Sequence, residues 1–587
     1  MENILKYLRP KEWALIGAIV VLTVIQVWLN LKLPEYMGEI TTLVETPGSP
    51  MSEIWRNGGY MLLCSLGGLA MVIIICFIAS RIGASFSQRL RSMLFSKVDS
   101  FSMGEINKFS IASLITRSTN DVTQVQLVVT IALQLVIYAP ILAVWALIKI
   151  FGKGFEWTLA TGVAMVILAV MFAAVMVAVI PKFRKMQLLT DNINKVAREN
   201  LTGLPVIRAY NAEEYQEAKF EKANDELTET QLYTTHAMAV MMPFVMLIMN
   251  GLILAIYWIG AVLANGAGSG EEVVSTLSNM IVFSSYSMQV MLAIIMILML
   301  FIFLPRAQVS AKRIKEVIDT ESSIEDGTVD DPDNGLKGEI EFRNVSFKYP
   351  GAADYVLRDV SFSVKRGETI AFIGSTGSGK STLINLVPRF YDATEGSVLM
   401  DGVDVRDYRL ESLYNKIGYI PQKSVLFSGT VASNVAFGDN GSGQATEEDI
   451  RNAVRIAQGK DFVEKMDGAY DAEVARGGTN LSGGQKQRLS IARAVCRKPE
   501  VYIFDDSFSA LDYKTDRVLR SVLKKETDGV TSMIVAQRIG TIMDADKIVV
   551  LNEGKVVGIG KHKELLGNCG VYREIAMSQL SEEELAA

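Results

Sequence analysis

Two short stretches of this sequence carry residues that could handle phosphate groups. The first is GSTGSGKS, residues 374–381, which follows an apolar run and precedes an apolar helical pattern. Glycines at this spacing let backbone N–H groups wrap around phosphate oxygens, a lysine supplies positive charge, and a serine hydroxyl can hold Mg²⁺. A glycine-rich turn without a ligand is the alternative. The predicted nucleotide-binding residues of this stretch are Gly374, Ser375, Thr376, Gly377, Ser378, Gly379, Lys380, Ser381 and Thr382.

The second stretch is VYIFDDSFSALD, residues 501–512. Its first four residues are mostly apolar, which predicts a buried strand, and two acids, Asp505 and Asp506, follow at once. Enzymes that bind nucleotides with a glycine-rich loop need an acid that helps to hold Mg²⁺. Asp505 is therefore a predicted metal ligand together with Ser381, and ATP with Mg²⁺ is the predicted ligand of the site.

The elements that must position these residues lie in two halves of different character. The chain has 587 residues, which is too long for a single hydrophobic core. Hydrophobic residues make up 50% of it, a high fraction for a soluble enzyme. Six stretches without Asp, Glu, Lys or Arg could each cross a hydrocarbon core of roughly 30 Å. A buried soluble helix could explain one such run, but not six in series. The stretches are residues 14–31, 57–80, 122–148, 157–181, 230–270 and 273–305.

Basic residues predict the topology of these spans. Six Lys and Arg residues lie in 81–121 and eight lie in 182–229, whereas the opposite connections hold few. The positive-inside rule places both long loops and both termini in the cytoplasm, so we expect a multi-pass protein of the cytoplasmic (inner) membrane. Gly203 and Pro205 predict a helix boundary within the second loop.

An acidic, polar stretch, TESSIEDGTVDDPDNGLKG, separates the two halves. The predicted domains are a transmembrane domain at 1–319, a linker at 320–337 and a soluble domain at 338–587. The fold class that follows is a membrane α-helical domain of six transmembrane helices with long cytoplasmic extensions. A cytoplasmic α/β nucleotide-binding domain with a phosphate loop comes after it.

At LSGGQKQR, residues 481–488, the sequence resembles a known family. A phosphate loop, LSGGQ about 100 residues later, and an acid-ended strand followed by SALD are similar to the ATP-binding cassette domain. With six preceding spans, the chain resembles an exporter-type half-transporter. The resemblance implies short coupling helices around residues 112–117 and 204–212.

The resemblance also implies roles for individual residues. Tyr349 would stack on adenine, although an ordinary strand tyrosine is the alternative. Gln422, otherwise a polar loop residue, would touch Mg²⁺ and the attacking water. Asp512 would belong to the loop that follows the acid-ended strand. A signature sequence would cap ATP that is bound by the opposite subunit. Its residues would be Ser482, Gly483, Gly484 and Gln485. The structural alternative is a helix N-cap followed by glycines, and both interpretations can hold together.

Three positions depart from the family pattern. Asp506 stands where the pattern has Glu, Gln537 where it has His, and Arg476 where Glu is usual. The loss of one methylene retracts the carboxylate by roughly 1.5 Å, and glutamine cannot become a cation. The catalytic positions Asp506, Gln537 and Gln422 are therefore expected to hold ATP while hydrolysing it slowly. The prediction is the degenerate-site subunit of a heterodimeric, bacterial, multidrug-type exporter, with a second half-transporter as partner.

The predicted cargo is a hydrophobic or amphipathic small molecule, and the lipid bilayer is a further predicted partner. The apolar, Met-rich spans lack the ionisable groups that mark proton pathways. A net charge of −6 implies no nucleic-acid partner. Lipid, peptide or siderophore transport, a homodimeric exporter, and an ATP-gated regulator that transports nothing remain alternatives.

Overall fold

The computed structural model describes residues 6–46, 48–151, 154–267, 269–332, 334–441, 443–527 and 529–580. It divides into two compact units. The first comprises Met1–Lys97 and Ala112–Thr320, and the second comprises Val98–Ile111 and Glu321–Ala587. The predicted boundaries at residues 319 and 337 stay predictions.

The described residues of the amino-terminal half form helices joined by short turns. Six of its helical segments are long and apolar enough to cross a membrane, which confirms the predicted helical transmembrane domain. The helices are α1 Pro10–Glu45, α2 Met51–Asp99, α3 Met103–Phe109, α4 Ile111–Thr116, a π-helical turn Arg117–Asp121, α5 Val122–Phe151, α6 Phe155–Ala209, α7 Glu213–Asn265 and α8 Gly270–Asp319.

The helix boundary predicted at Gly203 and Pro205 is wrong. Helix α6 continues through Pro181 and Pro205 to Ala209, and a short turn then leads into α7. Each proline removes one backbone donor, but α6 has 55 residues and packs along α7, so the remaining hydrogen bonds and the packing outweigh the loss. Residues 204–212 are therefore the end of a long helix and a turn.

The short separate helix of the first long loop lies earlier than 112–117. Those residues form α4, which continues through the π-helical turn into α5. The short helix is α3, which belongs to the second unit. Asn107 of α3 donates to the Tyr391 hydroxyl at 3.0 Å, and the Ser102 hydroxyl lies 3.0 Å from that of Ser323.

Helix α1 extends beyond the charge-free stretch 14–31 and includes the acidic residue Glu35. Glu35 accepts from Lys32 at 2.6 Å and from Lys149 of α5 at 2.7 Å. The buried Tyr286 hydroxyl of α8 lies 3.3 Å from the same carboxylate. One polar cluster around the Glu35 carboxylate thereby links three helices.

The second unit is an α/β domain. Its central sheet has the strand order β12-β11-β3-β10-β9-β6, and all of its strands are parallel except β12. An antiparallel sheet of order β2-β1-β4-β5 and a β7–β8 pair complete it. The strands are β1 Ile340–Phe347, β2 Leu357–Val364, β3 Thr369–Gly374, β4 Glu395–Met400, β5 Val403–Asp404, β6 Ile417–Ile420, β7 Gly429–Thr430, β8 Glu473–Val474, β9 Val501–Asp505, β10 Thr531–Val535, β11 Lys547–Asn552 and β12 Lys555–Gly560.

Helices cover the central sheet, and two apolar clusters form the core of this unit. The helices are α9 Lys380–Ile384, α10 Leu410–Asn415, α11 Val431–Val435, α12 Glu447–Ile456, α13 Lys460–Val463, α14 Gly483–Cys496, α15 Tyr513–Glu526, α16 Ile539–Ile542, α17 His562–Asn568 and α18 Gly570–Met577; the 3₁₀ turns are Ala469–Asp471 and Arg476–Gly478.

The register of the central strands brings three functional segments to one edge. Val535 of β10 pairs with Asp505 of β9 on one side and with Phe372 of β3 on the other. Because the strands are parallel, their carboxyl ends meet at the same edge of the sheet, where ligands of α/β folds bind. The glycine-rich loop, Asp506 and Gln537 all follow these ends.

Candidate functional site

The glycine-rich loop lies between β3 and α9, and its residues 375–377 are exposed. Gly377 and Gly379 have φ values of +82° and +95°, which side chains with a Cβ rarely adopt. Lys380 donates to the carbonyl oxygens of Gly374 at 2.9 Å and Ser375 at 2.8 Å. Burial lowers the pKa of the Lys380 ammonium, and Asp506 and Asp505 oppose that shift. The loop therefore holds one positive charge against its own backbone carbonyl oxygens.

Ser381 and Asp505 form a pair of oxygen ligands beside this loop. The Ser381 hydroxyl donates to Asp505 Oδ1 at 2.7 Å, and Asp505 is 6% exposed. Burial raises the pKa of the Asp505 carboxyl, the neighbouring Asp506 raises it further, and the Ser381 hydrogen bond lowers it. A hydroxyl and a carboxylate are oxygen donors that suit Mg²⁺, so the residues fit the predicted metal.

Asp506 lies beside the two amide side chains that the sequence predicted for the same corner. Gln537 Nε2 donates to Asp506 Oδ2 at 2.9 Å, and Gln422 Nε2 approaches the same oxygen at 3.5 Å, the limit of a hydrogen bond. Asp506 is 8% exposed and has a φ of +46°, and burial raises the pKa of its carboxyl. Its carboxylate is thus fixed by a neutral partner.

Tyr349 lies next to the end of the phosphate loop. Its hydroxyl is 2.9 Å from the Thr382 hydroxyl, and its half-buried ring packs edge-on against Phe347 and Tyr391, at 5.0 and 5.2 Å between centroids. This position beside the loop suits an aromatic platform for a base.

The LSGGQ segment and Asp512 form a second, exposed group. Ser482 caps α14: its hydroxyl accepts from Gln485 N at 3.3 Å, and Gln485 Oε1 accepts from Ser482 N at 2.8 Å. The Cα of Gly484 faces Ala510, because a Cβ there would lie 3.5 Å from the Ala510 carbonyl oxygen. Asp512 caps α15, and its hydrogen bond from Thr515 N at 3.0 Å lowers the pKa of its carboxyl.

These two groups are not joined into one site within the described residues of this chain. No hydrogen bond found there connects Ser482–Gln485 to the phosphate loop, and the capping serine and Gly483 are exposed. The structure thus brings the phosphate loop, Asp505, Asp506, Gln422, Gln537 and Tyr349 together, and leaves the LSGGQ helix end open to solvent.

Several contacts at the site were not predicted from the sequence. Ser424 donates to Gln487 of α14, and Arg493 of α14 donates to the Val425 carbonyl at 2.9 Å, so the segment after Gln422 is tied to the LSGGQ helix. Gln579 contacts the backbone of Gln537 and of Ile539, on the two sides of Arg538. No local pattern marks these residues, because each contact joins segments that are distant in sequence.

Comparison with known proteins places the chain in a family. A model of the ABC transporter family matches residues 357–509, and a model of the ABC transporter transmembrane region matches residues 16–293. An uncharacterized ABC transporter ATP-binding protein of Mycobacterium tuberculosis is 39% identical over 98% of this chain and 97% of its own length. The chain belongs to the ABC transporter family.

Other ABC transporters are similar over most of the chain. The uncharacterized ABC transporter ATP-binding protein YfiB of Bacillus subtilis is 35% identical, with 99% of both chains covered. An ATP-dependent lipid A-core flippase of Pseudomonas aeruginosa is 32% identical, covering 86% of this chain and 82% of the flippase. A solved structure of a bacterial Atm1-family ABC exporter with ATP bound shares the fold, with a TM-score of 0.78, 23% identity, and coverage of 97% of this chain and 98% of the exporter.

Membership in this family confirms the coarser predictions. The chain is a multi-pass membrane protein with the fold of an ABC exporter half-transporter. The family hydrolyses ATP to drive transport, and its nucleotide-binding domain implies that ATP binds the second unit, typically with Mg²⁺.

Proposed function

We propose that this chain is one subunit of a heterodimeric exporter and that its own phosphate loop binds ATP but hydrolyses it slowly. The observation that carries the proposal is the pairing of Gln537 with Asp506 at 2.9 Å. A neutral amide takes the place of a group that can become a cation, and the carboxylate beside it is one methylene short. A general base must reach within hydrogen-bond distance of its water, which the shorter side chain disfavours.

The binding part of the site supports the other half of the proposal. Lys380, Ser381 and Asp505 have the residue types and contacts that hold a phosphate chain and Mg²⁺. In this account Lys380 holds the terminal phosphates, Ser381 and Asp505 hold the metal with Gln422, and Tyr349 stacks on the base. Mg²⁺ would neutralise phosphate charge and orient the terminal phosphate.

The exposed LSGGQ end supports a role toward a partner. Ser482, the N-cap of the 14-residue helix α14, and Gly483, its first residue, face solvent. A helix N-terminus at such a place can bind a phosphate. These residues, with Gly484, Gln485 and Asp512, would complete the ATP site on the phosphate loop of a second half-transporter. ATP binding would favour the closed arrangement of the two nucleotide-binding domains. Hydrolysis at the partner's phosphate loop would reopen them and so drive the transport cycle.

We infer that the direction is export from the cytoplasmic membrane, with both termini in the cytoplasm. The basic connections 81–121 and 182–229 support that orientation. The proposed cargo is a hydrophobic or amphipathic compound, because the apolar stretches offer Met-rich surfaces without charges.

A lipid is the second candidate cargo. The observation that favours it is the likeness, at 32% identity, to proteins named as ATP-dependent lipid A-core flippases. Reconstituted transport of an amphipathic dye and of a fluorescent phospholipid, each with ATP and without a proton gradient, distinguishes the two cargoes.

Two single substitutions in the assembled transporter test the assignment of the ATP sites. The complex is purified through a tag on this chain, and its subunits are identified by mass spectrometry. At saturating ATP, Ser482→Phe should reduce ATPase activity by about 10²-fold or more, since it removes γ-phosphate contacts where hydrolysis occurs. Asp506→Ala should leave most of the activity.

The opposite pattern would reverse the assignment. A severe loss from Asp506→Ala with near-normal turnover in the Ser482→Phe complex would make this chain's own phosphate loop the fast site. A complex that contains only copies of this chain would replace the heterodimer by a homodimer. Lys524→Ala is a control, because that side chain lies in the exposed last turn of α15.

A further inference from the structure

The carboxyl-terminal end of the chain holds the backbone around Gln537. Gln579, two residues after α18, donates from Nε2 to the Gln537 carbonyl oxygen at 2.8 Å. The same amide accepts at Oε1 from the backbone N–H of Ile539 at 2.8 Å. One side chain therefore pairs with both main-chain groups that flank the Arg538 residue.

Gln579 is itself held by a well-packed segment. Tyr572 and Ala576 of α18 are fully buried in the core, and the Tyr572 hydroxyl lies 2.6 Å from His562 Nδ1. The backbone N–H groups of Gln579 and Leu580 both donate to the Ala576 carbonyl, at 3.1 and 3.0 Å. The backbone that carries the Gln579 amide is thus held in place, although the Gln579 residue is exposed.

The chemistry of the contact requires an amide. A carboxamide offers a donor and an acceptor side by side, so it can satisfy a backbone carbonyl and a backbone N–H together. Ile539, the first residue of α16, is fully buried, and its N–H is one of the helix-start donors that no intrahelical carbonyl satisfies. Gln579 therefore also caps α16 from another segment.

Gln537 connects Gln579 to the candidate ATP site. Its carbonyl is held by Gln579 and its side chain donates to Asp506, so the two ends of this residue are fixed from opposite sides. Arg538 adds a 3.4 Å contact to the Ser509 carbonyl. We propose that Gln579 is a positioning residue for the Gln537–Ile539 loop, so that the carboxyl-terminal segment sets how this corner meets the terminal phosphate of ATP.

The proposal rests on the proposed binding of ATP at this chain's phosphate loop, and Gln579→Ala tests it. The full-length chain in lipid nanodiscs is compared with wild type by hydrogen–deuterium exchange and by displacement of a fluorescent ATP analogue with ATP and with ADP. The backbone N–H groups of 536–542 should exchange about tenfold faster, as expected for the loss of two hydrogen bonds. Affinity for ATP should fall about three- to tenfold, within the value of one such bond, and affinity for ADP should stay unchanged.

Neighbouring variants separate positioning from general loosening. Ser578→Ala removes a hydroxyl that donates to the Ile575 carbonyl of the preceding helix, and Leu580→Ala removes an apolar side chain that packs on the core. Both should keep the wild-type ratio of ATP to ADP affinity.

Gln579→Glu keeps the acceptor for Ile539 N–H but loses the donor, so its effect should lie between wild type and Gln579→Ala. Deleting residues 581–587 should be neutral, whereas deleting 579–587 should reproduce Gln579→Ala.

Two results would overturn the proposal. Unchanged exchange in 536–542 would show that Gln579 does not hold the loop. Faster exchange with an unchanged ratio of ATP to ADP affinity would show that the contact is structural only. If the wild-type chain failed to bind ATP, or bound it equally after Lys380→Ala, the proposed function would fail, and the exchange comparison would still decide whether Gln579 holds the loop.

Discussion

Two corners of the same candidate site differ in what their side chains can do. At the corner of Lys380, Ser381 and Asp505, a cation, a hydroxyl and a carboxylate are arranged around the phosphate loop. At the corner of Asp506 and Gln537, a shortened carboxylate is paired with a neutral amide. Asp505 and Asp506, one from each corner, are both buried at the carboxyl end of β9, beside the ends of β10 and β3. In the proposed function, this difference is what would let the site bind ATP while hydrolysing it slowly.

The largest expected effect is at the binding corner. Lys380→Ala should abolish photolabelling of this subunit by azido-ATP, because the loop loses the positive charge that meets the terminal phosphates. Lys524→Ala, in the exposed last turn of α15, is the charge-matched control and should label normally. Labelling of the Lys380→Ala chain that equals wild type would show that the Lys380 corner is not needed to bind ATP.

A smaller effect is expected from Asp505→Asn, which keeps the size of the side chain and removes its charge. Binding of ATP with Mg²⁺ should weaken by about tenfold, since a charge-assisted contact to the metal is lost. Binding of ATP in EDTA should change little. Isothermal titration with and without Mg²⁺ measures both, with Asp404→Asn at a surface ion pair as control. An equal loss in the two conditions would argue against Asp505 as a metal ligand.

The pH dependence gives the smallest expected effect. Burial raises the pKa of the Asp505 carboxyl, so protons compete with Mg²⁺ at a higher pH than at an ordinary aspartate. Affinity for ATP with Mg²⁺ should therefore fall as the pH is lowered, earlier than for an exposed aspartate. The Asp505→Asn chain should lose most of this dependence. A dependence that is unchanged in that variant would assign the titration to another group.

The sequence predicted those parts of the molecule that local patterns encode. Glycines and a lysine at fixed spacing specify the backbone of residues 374–381, and apolar runs specify six membrane helices. Strand β9 ends at Asp505 as its apolar residues indicated. These features depend on neighbours in the chain, so no tertiary contact is needed to predict them.

Long-range contacts explain what the sequence did not predict. Pro205 suggested a helix end, but packing of α6 along α7 keeps the helix intact. Glu35 lay outside every apolar stretch, and its partner Lys149 is 114 positions away. Gln579 lies 42 positions from Gln537, in a segment that carries no motif. Each contact is decided by which elements meet in the folded chain.

Restoring the family residues at the Asp506 corner tests the central claim most directly. The measurement is single-turnover hydrolysis of radiolabelled ATP by the complex purified through this chain, with Ser482→Phe present to silence the partner's site. Phosphate release is expected to be slow with the wild-type Asp506 and Gln537, and at least about 10²-fold faster after Asp506→Glu with Gln537→His, the lower range for a working general base. Fast hydrolysis in the unrepaired site that Asp506→Ala then abolishes would contradict the account.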